Sequence, residues 1–315
     1  MMANDVIERL SIPTTPSCTP SSSTSKLITP NRSNVYLPPI TARINALLSP
    51  GSTLNFTISD VSIMPYLCGF ESQITGTQSP WCSVFTDEEL ALYNYAQSIR
   101  YYYGNGPGSG GNGTLMLSVL SSIVERLQDG PNATYTNSAG APFHPGPLAA
   151  MFTNDGQLSQ LVSELGVYDD VLPLPDTYLP TFQKYVASNF VTMRGTVGFE
   201  RLTCSNPNAT VAPAGWAAVD QWGNPTAHVP SSSSSATTQY VRLTLNDAVY
   251  PVVGCASGPG ASCPLDEYAG IVARKMAQAG SLRGRCNITN ATEPVLETAT
   301  FLKDNALPWQ IVVRP

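Results

Sequence analysis

The chain is poor in charge and poorer still in histidine. Asp, Glu, Lys and Arg make up only 12% of its 315 residues, about half the usual share in a globular protein. Its surface must draw polarity from Ser, Thr, Asn and Gly, or from groups added after translation. Basic residues are the minority, giving a formal net charge of −6 and a pI near 4.9. That excludes nucleic acid as a partner, because phosphate neutralisation needs a basic footprint. It suits a protein that stays soluble in mildly acidic surroundings. No run of about 18 apolar residues occurs, so no membrane span is expected. The opening MMANDVIERL has neither an apolar stretch nor a small-residue cleavage site, and does not read as an export signal. Only two histidines are present, His144 in Pro-Phe-His-Pro and His228 in Ala-His-Val-Pro. Both stand beside proline in loop-like sequence and read as surface residues. Gly-x-Ser-x-Gly, His-Glu-x-x-His and zinc-type Cys/His spacings are all missing. No metal and no cofactor is therefore expected.

What is present points to a secretory glycoprotein. Hydrophobic residues make up 42%, enough for a real core. Glycosylation sequons occur at Asn31, Asn55, Asn112, Asn132, Asn208, Asn287 and Asn290. One alone means little, but seven on a charge-poor chain that also carries cysteines favour export. The cysteines are seven: Cys18, Cys68, Cys82, Cys204, Cys255, Cys263 and Cys286. Cys255 and Cys263 enclose a Gly/Pro-containing loop able to bring the sulfurs together, and Cys68 and Cys82 flank a second such loop. Spacing leaves the other pairings open. An odd count leaves either a free buried thiol or a partner lying elsewhere.

Along the chain, residues 1–35 read as an irregular Pro/Ser/Thr-rich segment with at most a turn or two at Val6–Leu10. Helical periodicity begins at Pro38, with Ile40, Ile44, Leu47 and Leu48 on one face. A second helix is expected from Asp60 to about Phe70, with Val61, Met64 and Leu67 inward. Thr86 and Glu89 form a capping box ahead of a helix that buries Leu92, Tyr95, Ala96, Ile99 and Tyr102. The glycine-rich stretch Gly104–Gly113 follows a helix rather than a strand and lacks a Lys-Ser/Thr. It reads as a flexible connector and not as a phosphate cradle. Another helix uses Leu115, Val119, Leu120, Ile123 and Leu127. The character then changes. Leu148–Phe152 reads as a short buried strand, ending in Thr153-Asn154-Asp155-Gly156 ahead of a helix with Leu158, Leu161, Val162 and Leu165. Strand, turn and helix make half of a βαβ unit, and ligands bind such sheets beyond the carboxyl ends of the strands. Further strands are expected at Thr196–Leu202 and Tyr240–Leu245, and a last helix from Leu265 to about Gln278. Residues 205–238 form a mobile surface excursion on this reading. No internal repeat is visible. The fold class is α/β, with a mainly helical subdomain over residues 36–145 and an α/β domain over 146–315.

Several stretches resemble the fungal-type histidine acid phosphatases, the branch that includes the phytases, within the phosphoglycerate mutase-like superfamily. These are Trp81-Cys-Ser-Val-Phe-Thr-Asp-Glu-Glu89, Tyr101-Tyr-Tyr-Gly-Asn-Gly-Pro-Gly108 and Met151-Phe-Thr-Asn-Asp-Gly-Gln-Leu158. Arg194-Gly-Thr-Val-Gly-Phe-Glu-Arg-Leu202 and Leu245-Asn-Asp-Ala-Val-Tyr-Pro251 also match, in the family's order. The resemblance extends over roughly residues 36–315. It implies hydrolysis of a small phosphomonoester through a phosphohistidine. The nucleophilic His of that family lies in Arg-His-Gly-x-Arg-x-Pro at the end of the first strand, and a later His-Asp pair completes the pocket.

Carried over by residue, Asp155 takes the place of the proton donor, because an alkoxide leaves poorly unless protonated. Its other reading is the N-cap of the following helix, and the two roles are compatible. Asn154 stands where the family has His, keeping a donor for substrate but not the positive charge. The resemblance implies disulfides Cys68–Cys82, Cys255–Cys263 and Cys18–Cys286, with Cys204 unpaired. No Arg-His dipeptide occurs anywhere, so the nucleophile and its phosphate-clamping arginines are absent. The expectation is a fragment without its first strand or signal peptide, inactive alone. The alternative is a non-catalytic relative that binds phosphate esters or serves a structural role. Oligomeric state is left open.

Overall fold

The protein is described here by a computed structural model covering residues 25–204, 238–286, 299 and 302–304. The expectations for Val6–Leu10, Cys18 and the excursion within 205–237 fall outside the described residues, as do Asn208, Asn287 and Asn290 and the side chains of Asn31 and Asn112.

Helix α1 spans Ser25–Ala46 and α2 spans Ile58–Thr75. The first therefore starts well before Pro38, where the sequence pattern had placed it. Its apolar face runs upstream, since Tyr36 and Leu37 are buried together with Ile40 and Ile44. The Thr41 hydroxyl donates to the Leu37 carbonyl at 2.9 Å, adding a bond to a turn where prolines supply no N–H. Leu47 and Leu67, both expected inward, are exposed. Helix α3 covers Asp87–Gly104 behind the expected capping box. Thr86 accepts from the Glu89 N–H, and Glu89 accepts from the Thr86 N–H. Glu89 also receives Arg43 of α1 in a two-pronged pair at 2.7 and 2.5 Å, while Arg43 donates to the Val84 carbonyl at 2.8 Å. One carboxylate thus caps α3 and fastens it to α1. Around it lies a small core of Tyr36, Leu37, Ile40, Ile44, Val61, Met64, Phe85 and Ala96.

The larger core draws on both sides of residue 145. Helix α4 (Leu117–Asp129) presents Leu117, Val119, Leu120, Ile123 and Val124 to it. Helix α5 (Asp155–Glu164) adds Leu161 and Val162, and Leu165 and Val167 beyond its end join them. A small hairpin, β1 (Tyr135–Thr136) with β2 (Pro142–Phe143), follows α4 in the chain. The main sheet pairs β3 (Val197–Cys204) with β4 (Thr238–Leu245) in full antiparallel register, Val197 opposite Leu245 and Cys204 opposite Thr238. Strands β5 (Ala248–Val249) and β6 (Cys263–Pro264) add to β4. Val241, Leu243 and Leu245 alternate inward, as period-two patterning requires. Helix α6 (Leu265–Ala279) and the short α7 (Leu282–Arg285) close the core with Leu265, Tyr268, Val272 and Leu282.

Two expectations fail here. Leu148–Phe152 forms no continuous strand, only a single bridge at Phe152, and is mostly exposed: Leu148 is 87% and Phe152 65% exposed. An apolar run becomes a buried strand only where a neighbour strand covers it, and the strands described here pair antiparallel elsewhere. The glycine-rich stretch is not a loose connector either. Gly106 is buried, and residues Gly110–Met116 form a 3₁₀ turn. A Cβ on Gly106 would stand 2.8 Å from the Tyr185 hydroxyl, and one on Gly108 would stand 2.2 Å from the Tyr102 ring. Gly108 lets the backbone lie directly on the Tyr102 ring, and Gly106 lets it pass close to the end of α3 and the Tyr185 hydroxyl.

The Glu89 pair has a testable pH signature. Burial pushes the Glu89 carboxyl up, but the Arg43 and Thr86 hydrogen bonds outweigh it and hold the carboxyl below its ordinary range. A depressed folded-state value gives stability present above the ordinary glutamate range and lost as pH falls through the folded value. Glu89→Gln is expected to cost about 1–2 kcal/mol near neutrality. In thermal denaturation the gap between variant and wild type should close as pH falls below the ordinary glutamate range.

Candidate active site

The site is built from the end of α3 and the beginning of α5. Helix α3 runs into Tyr101-Tyr102-Tyr103-Gly104, where Tyr102 is buried and Tyr101 is half-buried. Tyr102 lies edge-on to Tyr185 at 5.3 Å and to Tyr103 at 4.8 Å. Tyr185 in turn contacts Tyr168 and Phe190 at 5.1 and 5.5 Å. Its hydroxyl lies 3.2 Å from that of Ser159 on α5. This aromatic floor fixes α5 beneath the glycine turn.

At the start of α5, Asn154 and Asp155 divide the work. Asn154 is the N-cap: its side-chain oxygen accepts from the Gln157 N–H at 2.9 Å, with φ −86° and ψ 173°. The cap role that the sequence left open for Asp155 thus falls on its neighbour. Asp155 is the first helical residue, exposed, with one oxygen accepting the Gly156 N–H at 2.9 Å. Its other oxygen accepts from the Tyr101 hydroxyl at 2.5 Å. The position at a helix N-terminus favours a negative charge there. Burial pushes the Tyr101 phenol up, and the Asp155 hydrogen bond pushes it further. Tyr101 therefore stays a proton donor throughout the acidic and neutral range. The Arg100 guanidinium lies 5.7 Å from the centre of the Tyr101 ring, a cation placed over its face. Asn105, in the glycine turn, accepts from Gln160 of α5 at 3.4 Å.

The remaining sequence candidates lie elsewhere. Cys68–Cys82 and Cys255–Cys263 are disulfide-bonded, with Cα atoms 4.7 and 5.0 Å apart. Cys286 is also in a disulfide, whose partner lies outside the described residues, and Cys204 is a free thiol at the end of β3. Asn55 and Asn132 are exposed. His144, just after β2, is exposed, its Nδ1 2.9 Å from the Ala133 carbonyl. A cavity of about 540 Å³ between α1, α3 and residues 177–179 is lined by Ile40, Leu92, Tyr178 and the Arg43–Glu89 pair. Neither Tyr101 nor Asp155 lines it. Sequence reasoning missed Tyr101 as a site residue; its only signal was membership of the Tyr-Tyr-Tyr-Gly stretch.

An exposed carboxylate at a helix start, gripped by a tyrosine that lies 54 residues away in the chain, is the kind of group that can hand over a proton. The fold around it is that of a histidine phosphatase. It superimposes on the phytase from D. castellii with a TM-score of 0.69 at 23% identity, over 95% of this chain and 54% of that one. The Histidine phosphatase superfamily (branch 2) profile matches residues 5–246, and the chain belongs to this superfamily. A phytase of Candida albicans is 29% identical over 274 residues, covering 87% of this chain and 48% of that protein. The repressible acid phosphatase of Saccharomyces cerevisiae is 27% identical over 265 residues, covering 82% and 46% respectively. The chain thus spans about half the length of these relatives.

The capping role of Asn154 is open to direct test. Asn154→Ala should cost about 1 kcal/mol in denaturant unfolding, while Asn154→Asp, which keeps the cap oxygen, should cost less than half of that.

Proposed function

We propose that this chain is the proton-donor part of an acid phosphatase or phytase-like enzyme that hydrolyses phosphomonoesters. The observation that carries the reading is the Tyr101–Asp155 hydrogen bond, which brings two family-like stretches together around one exposed carboxylate. On this reading the phosphoryl group passes from the ester oxygen to a histidine, and Asp155 protonates the departing alcohol. The carboxylate then takes a proton from water as that water attacks the phosphohistidine, releasing phosphate and returning Asp155 to its acid form. The histidine is supplied by a segment outside these residues, since no Arg-His dipeptide is among them. Asn154 donates its amide N–H to the phosphate as a neutral substitute for the family's His. Export and glycosylation are part of the same reading. They are supported by the low charge, the sequons, of which Asn55 and Asn132 are exposed, and the disulfides.

The missing Arg-His favours a second reading, a non-catalytic relative that binds phosphate esters. One experiment separates the two. The transcript is read upstream of the Met1 codon, and both its full product and these 315 residues are assayed on p-nitrophenyl phosphate at acidic pH. Turnover by the full product, none by the 315 residues, and a loss of about 10²–10⁴-fold in Asp155→Asn for an alkyl phosphate support the phosphatase. A folded product that starts at Met1, binds phosphate esters and turns none over supports the second reading.

A further inference from the structure

Tyr101 takes no part in the proposed reaction, yet among the described residues it makes the one side-chain hydrogen bond to the Asp155 carboxylate. We propose that Tyr101 is a positioning residue for proton transfer, holding the Asp155 carboxyl in place for the departing alcohol. The inference rests on the phosphatase reading above and gives Tyr101, there only a contact, a part in the proton transfer.

Three observations carry it. The Tyr101 hydroxyl donates to one Asp155 oxygen at 2.5 Å, and the Gly156 N–H donates to the other at 2.9 Å. The two donors fix the rotation of an otherwise exposed carboxyl, and both strengthen as negative charge develops on it. The Tyr101 ring is itself packed, half-buried against the large core with the Arg100 guanidinium 5.7 Å from its centre. The donor is therefore preorganised by packing and not by solvent. A carboxyl acting first as acid and then as base must be in register with the substrate in both steps, which a free surface side chain is not.

The consequence depends on the leaving group. A nitrophenolate departs without a proton, whereas an alkoxide does not. In the full product, Tyr101→Phe should lower kcat on an alkyl phosphate by about 10–100-fold, the worth of one hydrogen bond to a charged group. The rate on p-nitrophenyl phosphate should change by less than about threefold. The ¹³C resonance of the Asp155 carboxyl, followed in this chain, should shift in Tyr101→Phe. Tyr103→Phe, which removes only the bond to the Leu174 carbonyl, should leave it in place. Equal loss on both esters, or an unmoved Asp155 resonance, overturns the proposal. If Asp155→Asn loses the alkyl-ester rate but Tyr101→Phe keeps it, the phosphatase reading stands and this proposal falls. If the wild-type full product turns over neither ester, both fall.

Discussion

The ring of Tyr102 lies beneath the Gly106–Gly108 turn and edge-on to Tyr185, and this contact sets where α3 ends relative to where α5 begins. Without the two glycines the backbone is held off the ring; without the ring the turn has no floor. Tyr185 extends the floor to Ser159 of α5 and to Tyr168 and Phe190. The polar end of the site rides on this apolar base. Tyr101, half-buried against the same core, reaches Asp155 from the end of α3. A short hydrogen bond at the surface gains little by itself, but here the entropy of aligning donor and acceptor is already met by buried aromatic packing.

The same region shows how a helix start serves structure and chemistry together. A helix needs its first N–H groups satisfied, and here two neighbours share that task. Asn154 takes the Gln157 N–H as cap, while Asp155, one residue inside, accepts the Gly156 N–H with one oxygen and the Tyr101 hydroxyl with the other. The position of Asp155 still profits from the partial positive charge of the helix start. On the proposed reading, Asn154 in place of a histidine keeps the helix cap and gives up a positive charge near a phosphate.

Much of this was legible in the sequence where the signal was local. The Thr86–Glu89 box, the apolar faces of α4 and α6 and the alternation of β4 all depend on residues within a few positions of one another. Pro38 misled because proline marks helix starts by statistics, whereas Tyr36 and Leu37 continue the buried face past it. Leu148–Phe152 misled because burial depends on what lies alongside, which a hydrophobic run does not encode. The glycine turn looked flexible because its need for glycine comes from the Tyr185 hydroxyl as well as the adjoining Tyr102. Asp155 was singled out by its place after an expected strand and by resemblance; from its residue type it read as a cap. Tyr101 was not found, because 54 residues separate it from its partner and no pattern in the chain links them.

That Asp155 hands a proton to the departing alcohol is tested most directly by the dependence of kcat on leaving-group pKa across a series of aryl and alkyl phosphates. The wild-type full product should show a shallow slope, because protonation relieves charge on the leaving oxygen, and Asp155→Asn should show a steep one. Parallel slopes for the two proteins, with only an overall loss of rate, would contradict proton donation at Asp155 and leave it a structural residue of the helix start.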